Sequence, residues 1–337
     1  MIKVDFYTIP PGEKVKIFEQ VSELTGLPPF AVEKDWWVVK ALELIFGMDI
    51  KDHLLFKGGT SLNKAWSLIS RFSEDIDLAL DRNFLGFPGE LPKKEITRMR
   101  IRFNEYINSV FFPNLVATFQ GNGFADVKFN LVKPVDSDQD PRVIEISYPN
   151  LIESAGYIQQ KIQLEIGCRS LREPFSLQSI SSYVNASFPV SAYAASPVAI
   201  PTVNPERTFL EKIFLLHEEF QRPVEKIRVD RMSRHLYDIY VLVYTPFAQI
   251  ALSNKELYTE IVHHRQKYTR LGGVNYKLHN PKNINPLPPS GTSELWKQDF
   301  LRMKEQMIYG DSPSFEEMVD VIRTFLLKMN ALDWEVS

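Results

Sequence analysis

Residues 56–80 read FKGGTSLNKAWSLISRFSEDIDLAL, and the order of features within them decides the fold. The strand-like run HLLFKG (53–58) ends in Gly58-Gly59-Thr60-Ser61. A helix-like segment follows from about Ser61 to Leu68, and a β-patterned segment then carries Asp75 and Asp77 with one residue between them. Residues two apart on a strand point to the same side, so both carboxylates can converge on one hard cation. The glycine turn can offer backbone N–H groups, and Thr60 and Ser61 their hydroxyls, to phosphate oxygens. A strand, a phosphate-cradling turn and paired carboxylates are most of what Mg²⁺-dependent phosphoryl transfer requires. Each part alone has a plainer reading. A Gly-Gly pair serves any turn that needs positive φ, and Asp-x-Asp is commonly the solvated face of a strand.

The flanking chain fits one catalytic lobe followed by a helical one. EKVKIFEQVSELTG (13–26) and PFAVEKDWWVVKALELIFG (29–47) are helical in period. Beyond the carboxylates, Gly86, Pro88, Gly89 and Pro92 mark a loop, and a long helix is predicted over about 93–120. Three β-patterned runs follow, ADVKFNLV, RVIEISYP and KIQLEIGC, the last with Ile162, Leu164 and Ile166 alternating against Lys161, Gln163 and Glu165. Residues 171–203, rich in Ser, Ala and Pro, read as short strands and a linker. From Pro205 onward the pattern is helical. The expected fold class is α+β (mixed α/β): residues 1–202 form a lobe with a mixed sheet and N-terminal helices, and 203–337 an all-helical lobe, with the ligand in the cleft between them.

Gly58-Gly59-Thr60, Lys64 and the run Arg71-Phe72-Ser73-Glu74-Asp75-Ile76-Asp77-Leu78 resemble the nucleotidyltransferase fold shared with DNA polymerase β. More closely, they resemble the AbiEii family, the toxin components of type IV toxin–antitoxin and abortive-infection systems. Glu33-Lys34-Asp35-Trp36-Trp37 is similar to a segment that often precedes the Gly-Gly motif in such proteins. KIQLEIG, with Arg169 just beyond it, resembles their third-carboxylate strand. Leu210-Glu211-Lys212 and Arg234-His235-Leu236-Tyr237-Asp238 resemble their later motifs. The resemblance implies an enzyme that binds an NTP with Mg²⁺ or Mn²⁺ and transfers NMP to an acceptor hydroxyl. RNA, and the 3′ end of tRNA in particular, is the implied acceptor, and an antitoxin encoded nearby the implied partner.

Candidate roles follow residue by residue. Asp75 and Asp77, with Glu165 as the third carboxylate, would hold the metal. A third carboxylate is commonly needed to activate the incoming hydroxyl, and Glu165, on the polar face of its strand, is the choice; Glu145 in VIEIS is the rival, with a salt-bridged strand residue as its plainer reading. Gly58 and Gly59 let the backbone approach a triphosphate. Lys64 and Arg71 either bind phosphate or balance Glu74 and Asp75, and Ser73 either contacts phosphate or holds the start of the strand. Lys212 lies at the edge of the stripe Phe209, Ile213, Leu216 and Phe220, where its ammonium can snorkel toward a cleft. Unaided, that helix suggests Lys212 pairing with Glu211 or Glu218, and Arg234–Asp238 as a surface pair. The resemblance instead implies that Lys212 contacts nucleotide phosphate, facing Asp75 and Asp77, and that activity needs Asp238.

Composition sets outer bounds. The chain has 337 residues, 44% hydrophobic and 24% charged, which is ordinary for a soluble protein. No apolar run approaches the length needed to span a bilayer. The opening MIKVDFYTIPPGEKVK lacks the layout of a signal peptide, and Cys168 is the only cysteine, so a cytoplasmic setting without membrane is expected. A net charge of −3 does not advertise a nucleic-acid binder. Two local stretches matter more: Lys94, Arg98 and Arg102 on one helix face, and the basic, tyrosine-containing stretch 263–282. Both suit RNA, and both have a plainer reading as polar surface. His217, His235, His263 and His264 match no zinc spacing, and Trp36, Trp37 and Trp296 read as core aromatics. Two other functions remain open: a non-catalytic NTP-binding regulator on the same fold, which would have a broken carboxylate set, and a metal-dependent glycosyltransferase, which would place Asp-x-Asp after an early βαβ unit.

Overall fold

The computed structural model describes residues 5–154, 159–169, 173–269 and 271–336. They group into two compact units, one running through Trp66 and then Phe72–Val203, the other made of Ser67–Arg71 and the chain from Asn204. The short Ser67–Arg71 segment therefore belongs with the helical unit, which the expected division after residue 202 did not include.

The first unit begins with α1 (Pro11–Thr25) and α2 (Pro29–Ile45), each with proline in its first turn, where no intrahelical N–H is needed. Gly26 ends α1 in the left-handed conformation. The chain then forms β1 (Leu54–Lys57), α3 (Gly58–Lys64), β2 (Ile76–Leu80), α4 (Lys93–Tyr106) and α5 (Phe112–Gly121). β3 (Lys128–Leu131), β4 (Arg142–Ser147), β5 (Ile162–Gly167), β6 (Phe175–Ile180), α6 (Tyr183–Ser187) and β7 (Val198–Val203) complete it. The strands form one seven-stranded sheet in the order β3-β4-β5-β2-β1-β7-β6. It is mixed: β2–β5 and β1–β7 run parallel, and the other neighbours antiparallel.

Four expectations change here. The Gly-Gly segment is the first turn of α3 rather than a turn before a helix over 61–68, because Gly58, at φ +80°, turns the chain straight out of β1. Asp75 lies one residue ahead of β2, not on it. The helix predicted over 93–120 is interrupted by a π-helical turn at Ile107–Phe111. Pro113 lacks an N–H and its ring crowds the carbonyl four residues back, and the wide turn absorbs both. In residues 173–203 the expected short strands are present, but in place of a linker β6 and β7 close one side of the sheet.

In β5, Ile162, Leu164 and Ile166 are buried and alternate with half-buried Gln163, Glu165 and Gly167. Trp36 and Trp37 are buried and packed edge-on at 4.9 Å, with Tyr148 stacked on Trp37 at 5.2 Å, so they are core aromatics.

The second unit contains α7 (Pro205–Glu219), α8 (Ser233–Val243), α9 (Pro246–Ser253), α10 (Lys255–His264), α11 (Ser293–Met307) and α12 (Phe315–Asn330). Among these α7 departs most from expectation. Burial on this helix extends well beyond the expected stripe of Phe209, Ile213 and Leu216 to Leu210, Phe214 and the charged Arg207, Lys212, Glu218 and Glu219. Its charges survive burial by pairing: Glu218 accepts from both Arg265 and His279, and Glu219 from Arg228. Among the described residues no helix is long and apolar enough to cross a membrane.

Candidate active site

In the first unit the sequence-selected residues gather around the start of α3 and the middle of the sheet. β2 and β5 pair in parallel with Asp77 opposite Glu165. Register partners on adjacent strands project from the same face, with strands about 4.8 Å apart. On the other side of β2, Lys57 of β1 is the partner of Asp77. Lys57, Asp77 and Glu165 thus form one row across three strands. Lys57 was missed in the sequence. Its signal was the period of HLLFKG, which puts Lys57 on the face of Leu55, immediately before the glycines.

Ser73, Asp75 and Asp77 are half-buried and alternate with buried Glu74, Ile76 and Leu78. The alternation therefore runs back beyond the formal start of β2. Thr60 binds this segment to α3: its hydroxyl hydrogen-bonds to Ser73 Oγ at 2.9 Å and to the Asp75 carbonyl oxygen. Ser61 Oγ donates to the Gly58 carbonyl at 2.9 Å. Thr60 and Ser61 are both buried, and their hydroxyls brace the turn from within.

Gly58 lies hard against the carboxylates. A Cβ placed on it would sit 1.9 Å from Asp77 Oδ2, 2.7 Å from Cγ and 3.0 Å from Cβ. Only glycine lets the chain adopt φ +80° here while Asp77 occupies that space.

Lys64 is committed elsewhere. Its ammonium is 2.6 Å from Asp35 Oδ1 and lies 3.8 Å over the Tyr183 ring, instead of balancing Glu74 or Asp75. Burial pushes the Asp35 carboxyl up, and the Lys64 charge opposes that shift. Glu74 is held by Lys34 at 2.6 Å. The rival Glu145 takes the salt-bridged role: it bonds Lys161 and accepts from Asn130 at 2.8 Å, and the Lys161 contact holds its carboxyl below the usual range.

Among the described residues no three His, Cys, Asp or Glu side chains come together closely enough to cage a metal ion. Asp75, Asp77 and Glu165 are thus not a preformed three-ligand cage among the described residues. Mg²⁺ seldom needs such a cage, since one or two carboxylates with water and substrate phosphates suffice. The half-buried Asp77 carboxylate, in a cradle that any Cβ at residue 58 would fill, fits that kind of donor set.

In the helical unit, Arg71 forks onto Asp238, Nε to Oδ1 and Nη2 to Oδ2, both at 2.7 Å. Lys212 Nζ is 2.9 Å from the same Oδ2. Asp238 is fully buried. Burial alone would raise its carboxyl, but the Arg71 and Lys212 charges outweigh it and hold the group well below the ordinary carboxylate range. Neither plain expectation holds: Lys212 bonds Asp238 rather than Glu211 or Glu218, and Asp238 is a buried anion between two cations, not a surface partner of Arg234. Arg71, four residues before Asp75 in sequence, is occupied there as well. His217 accepts the Asn285 N–H at Nδ1, and burial pulls its pKa down to about 4. His235 is also shifted down, by burial first and then by Lys212. Trp296 is a core residue. Arg98 and Arg102 are exposed on α4, each paired with a glutamate three residues away, and Tyr268 of the 263–282 stretch is buried.

Comparison with known proteins gives the context for this geometry. The model of the family "Nucleotidyl transferase AbiEii toxin, Type IV TA system" matches residues 46–321. A search of curated proteins finds no match. Among solved structures, the nucleotidyltransferase toxin MenT4 of Mycobacterium tuberculosis H37Rv superposes with a TM-score of 0.54 at 16% identity, covering 94% of this chain and 90% of its own. JHP933 of Helicobacter pylori gives 0.44 at 13% identity over 90% of this chain and 93% of its own. At such identity the MenT4 likeness speaks for the fold.

Proposed function

The chain belongs to the AbiEii family of nucleotidyltransferase toxins of type IV toxin–antitoxin systems, and from that premise we propose that it transfers NMP from an NTP, with Mg²⁺ or Mn²⁺, to an RNA hydroxyl, which attacks the α-phosphorus and expels pyrophosphate. The 3′ end of tRNA is the favoured acceptor, the cytoplasm the setting, and a cognate antitoxin the partner. The observation that carries this reading is the pairing of Asp77 with Glu165 on adjacent strands, with Gly58 fitted against Asp77.

In this reading Asp77 and Asp75 hold the cation, which when bound polarises the phosphoryl oxygens and offsets their charge. Glu165 accepts the proton of the attacking hydroxyl. Gly58 and Gly59 let the triphosphate approach the backbone, and Thr60, Ser61 and Ser73 fix the shape of the turn. Lys57, in the row with Asp77, adds positive charge on the same face. Lys64 acts through Asp35, as a brace rather than a ligand. In the helical unit, activity depends on Asp238 and Lys212. Lys212 keeps one of its three ammonium donors on Asp238 and offers the others to phosphate, while Arg71 steadies Asp238.

The test is to incubate the protein with each labelled NTP in turn, total RNA and Mg²⁺, beside Asp77→Asn. Label entering a small RNA from one NTP, and lost in Asp77→Asn, is expected. Absence of label with every NTP, or label that persists undiminished in Asp77→Asn, would overturn the proposal.

A further inference from the structure

Three consecutive charged residues of α2 are buried: Glu33, Lys34 and Asp35. Successive helical residues point about 100° apart, so the three reach different elements. Glu33 accepts the backbone N–H groups of Leu151 at 2.7 Å and Ile152 at 3.1 Å. Lys34, 1% exposed, is 2.6 Å from Glu74 and also donates to the Gln159 carbonyl. Asp35 bonds Lys64 at 2.6 Å through Oδ1 and accepts the Tyr183 N–H at 2.7 Å through Oδ2.

Two of these contacts grip the candidate site from behind. Glu74 stands between Ser73 and Asp75 and, by strand alternation, points to the opposite face. Holding Glu74 therefore fixes the direction in which Ser73, Asp75 and Asp77 project. Lys64 is the last residue of α3, whose first residue, Gly58, lies against Asp77. Buried ion pairs are a poor source of stability compared with apolar groups of equal volume, so four buried charges in two pairs are better explained by the geometry they impose.

We propose that Lys34 and Asp35 are positioning residues of the nucleotidyl-transfer site, Lys34 setting the Ser73–Asp77 segment through Glu74 and Asp35 setting α3 through Lys64. The proposal rests on the nucleotidyltransferase reading above. It is tested in full-length protein with Lys34→Met, Glu74→Gln, the pair combined, and Asp35→Asn. Lys40→Met serves as control, since Lys40 is on the same helix but paired with Glu43. Three quantities are read: transfer kinetics, Mn²⁺ binding by electron paramagnetic resonance without turnover, and melting temperature.

Lys34→Met and Glu74→Gln should each lower kcat by roughly 100-fold, as for a displacement of about 1 Å at a reacting centre. Each should weaken Mn²⁺ binding by roughly ten-fold, and the double variant should be no worse than either alone. Asp35→Asn should act mainly on the KM for NTP, because it loosens the helix that begins at the glycines. Lys40→Met should match wild type. If Lys34→Met does not fold, Glu74→Gln, which keeps shape and acceptor, carries the same test. A lowered melting temperature with wild-type Mn²⁺ binding and kcat in the folded protein would make these pairs structural only and overturn the proposal. Wild-type protein that transfers nothing, while Mn²⁺ binding still depends on Lys34, would instead overturn the functional reading and leave the positioning effect standing.

Discussion

Gly58→Ala isolates the close approach between the glycine turn and Asp77. Two costs arise. Alanine at φ +80° carries a strain of about 1–2 kcal/mol. Its Cβ would also lie 1.9 Å from Asp77 Oδ2 and 3.0 Å from Asp77 Cβ. Rotating the carboxylate relieves the first contact but not the second, because β2 fixes the Asp77 backbone. Reaching ordinary van der Waals separation from the oxygen needs a shift of about 1.5 Å, and overpacking of this kind costs about 1–3 kcal/mol. The sum, roughly 2–5 kcal/mol, corresponds to a melting temperature lower by about 5–15 °C. A displacement above 1 Å at the reacting centre should cut nucleotidyl transfer by roughly 100-fold. Gly86→Ala is the matched control: φ is +86° and nothing lies within 4 Å of its Cβ, so it bears the backbone strain alone. It should lose only about 1–2 kcal/mol and keep its transfer rate. Thermal melts and labelled-NTP transfer would be measured side by side. Gly58→Ala with the rate of Gly86→Ala would refute the idea that glycine is required to make room for Asp77.

Other outcomes follow from the pairings. Glu165→Gln should lower kcat by roughly 100-fold while leaving NTP binding nearly intact, and Glu145→Gln should change neither; filter binding and single-turnover transfer separate the two. Asp238→Asn leaves Arg71 and Lys212 partly unpaired in the interior and should cost about 3–5 kcal/mol at pH 7 by urea unfolding. The native Asp238 carboxyl titrates below its unfolded value of about 3.9, so its stabilisation is complete above that value and fades as pH falls toward the native one. The gap between Asp238→Asn and wild type should accordingly stay level from pH 6 to about pH 4.5 and narrow as pH falls from there toward 3, and a gap independent of pH over that lower range would argue against a buried ionised Asp238. Lys212→Ala should weaken NTP binding and transfer together by roughly ten-fold or more, and Lys212→Arg should restore only part, because a planar guanidinium cannot replace a compact ammonium beside Asp238; full rescue by arginine would contradict a phosphate role.

What the sequence disclosed, and what it withheld, follows from the range of the interactions. Ile162, Leu164 and Ile166 betrayed β5 because a period of two is a local signal, and the same alternation put Glu165 on the polar face. The partner of Glu165 was not local. Asp77 stands opposite it only because β5 inserts between β4 and β2, an order that no window of sequence contains. Charged residues were the least legible. Lys64, Arg71 and Lys212 read as exposed or phosphate-seeking, whereas each has a buried anion supplied from far along the chain, Asp35 or Asp238. A hydropathy pattern scores a buried, paired cation and a solvated one alike. The π-helical turn escaped notice because Pro113 sits inside a run that is otherwise helical.

The crossover from β2 to β5 also places the two halves of the candidate site on distant parts of the chain. A cut in the loop between β2 and α4, at Gly86 or Gly89, leaves Gly58 and Asp77 on one fragment and Glu165 on the other. Neither piece holds the row of Lys57, Asp77 and Glu165, and β1 and β2 would regain their outer neighbours only by annealing to strands of the second piece. The fold thus lends itself to a two-part reporter in which the growth arrest expected of a toxin appears only in cells where both halves meet.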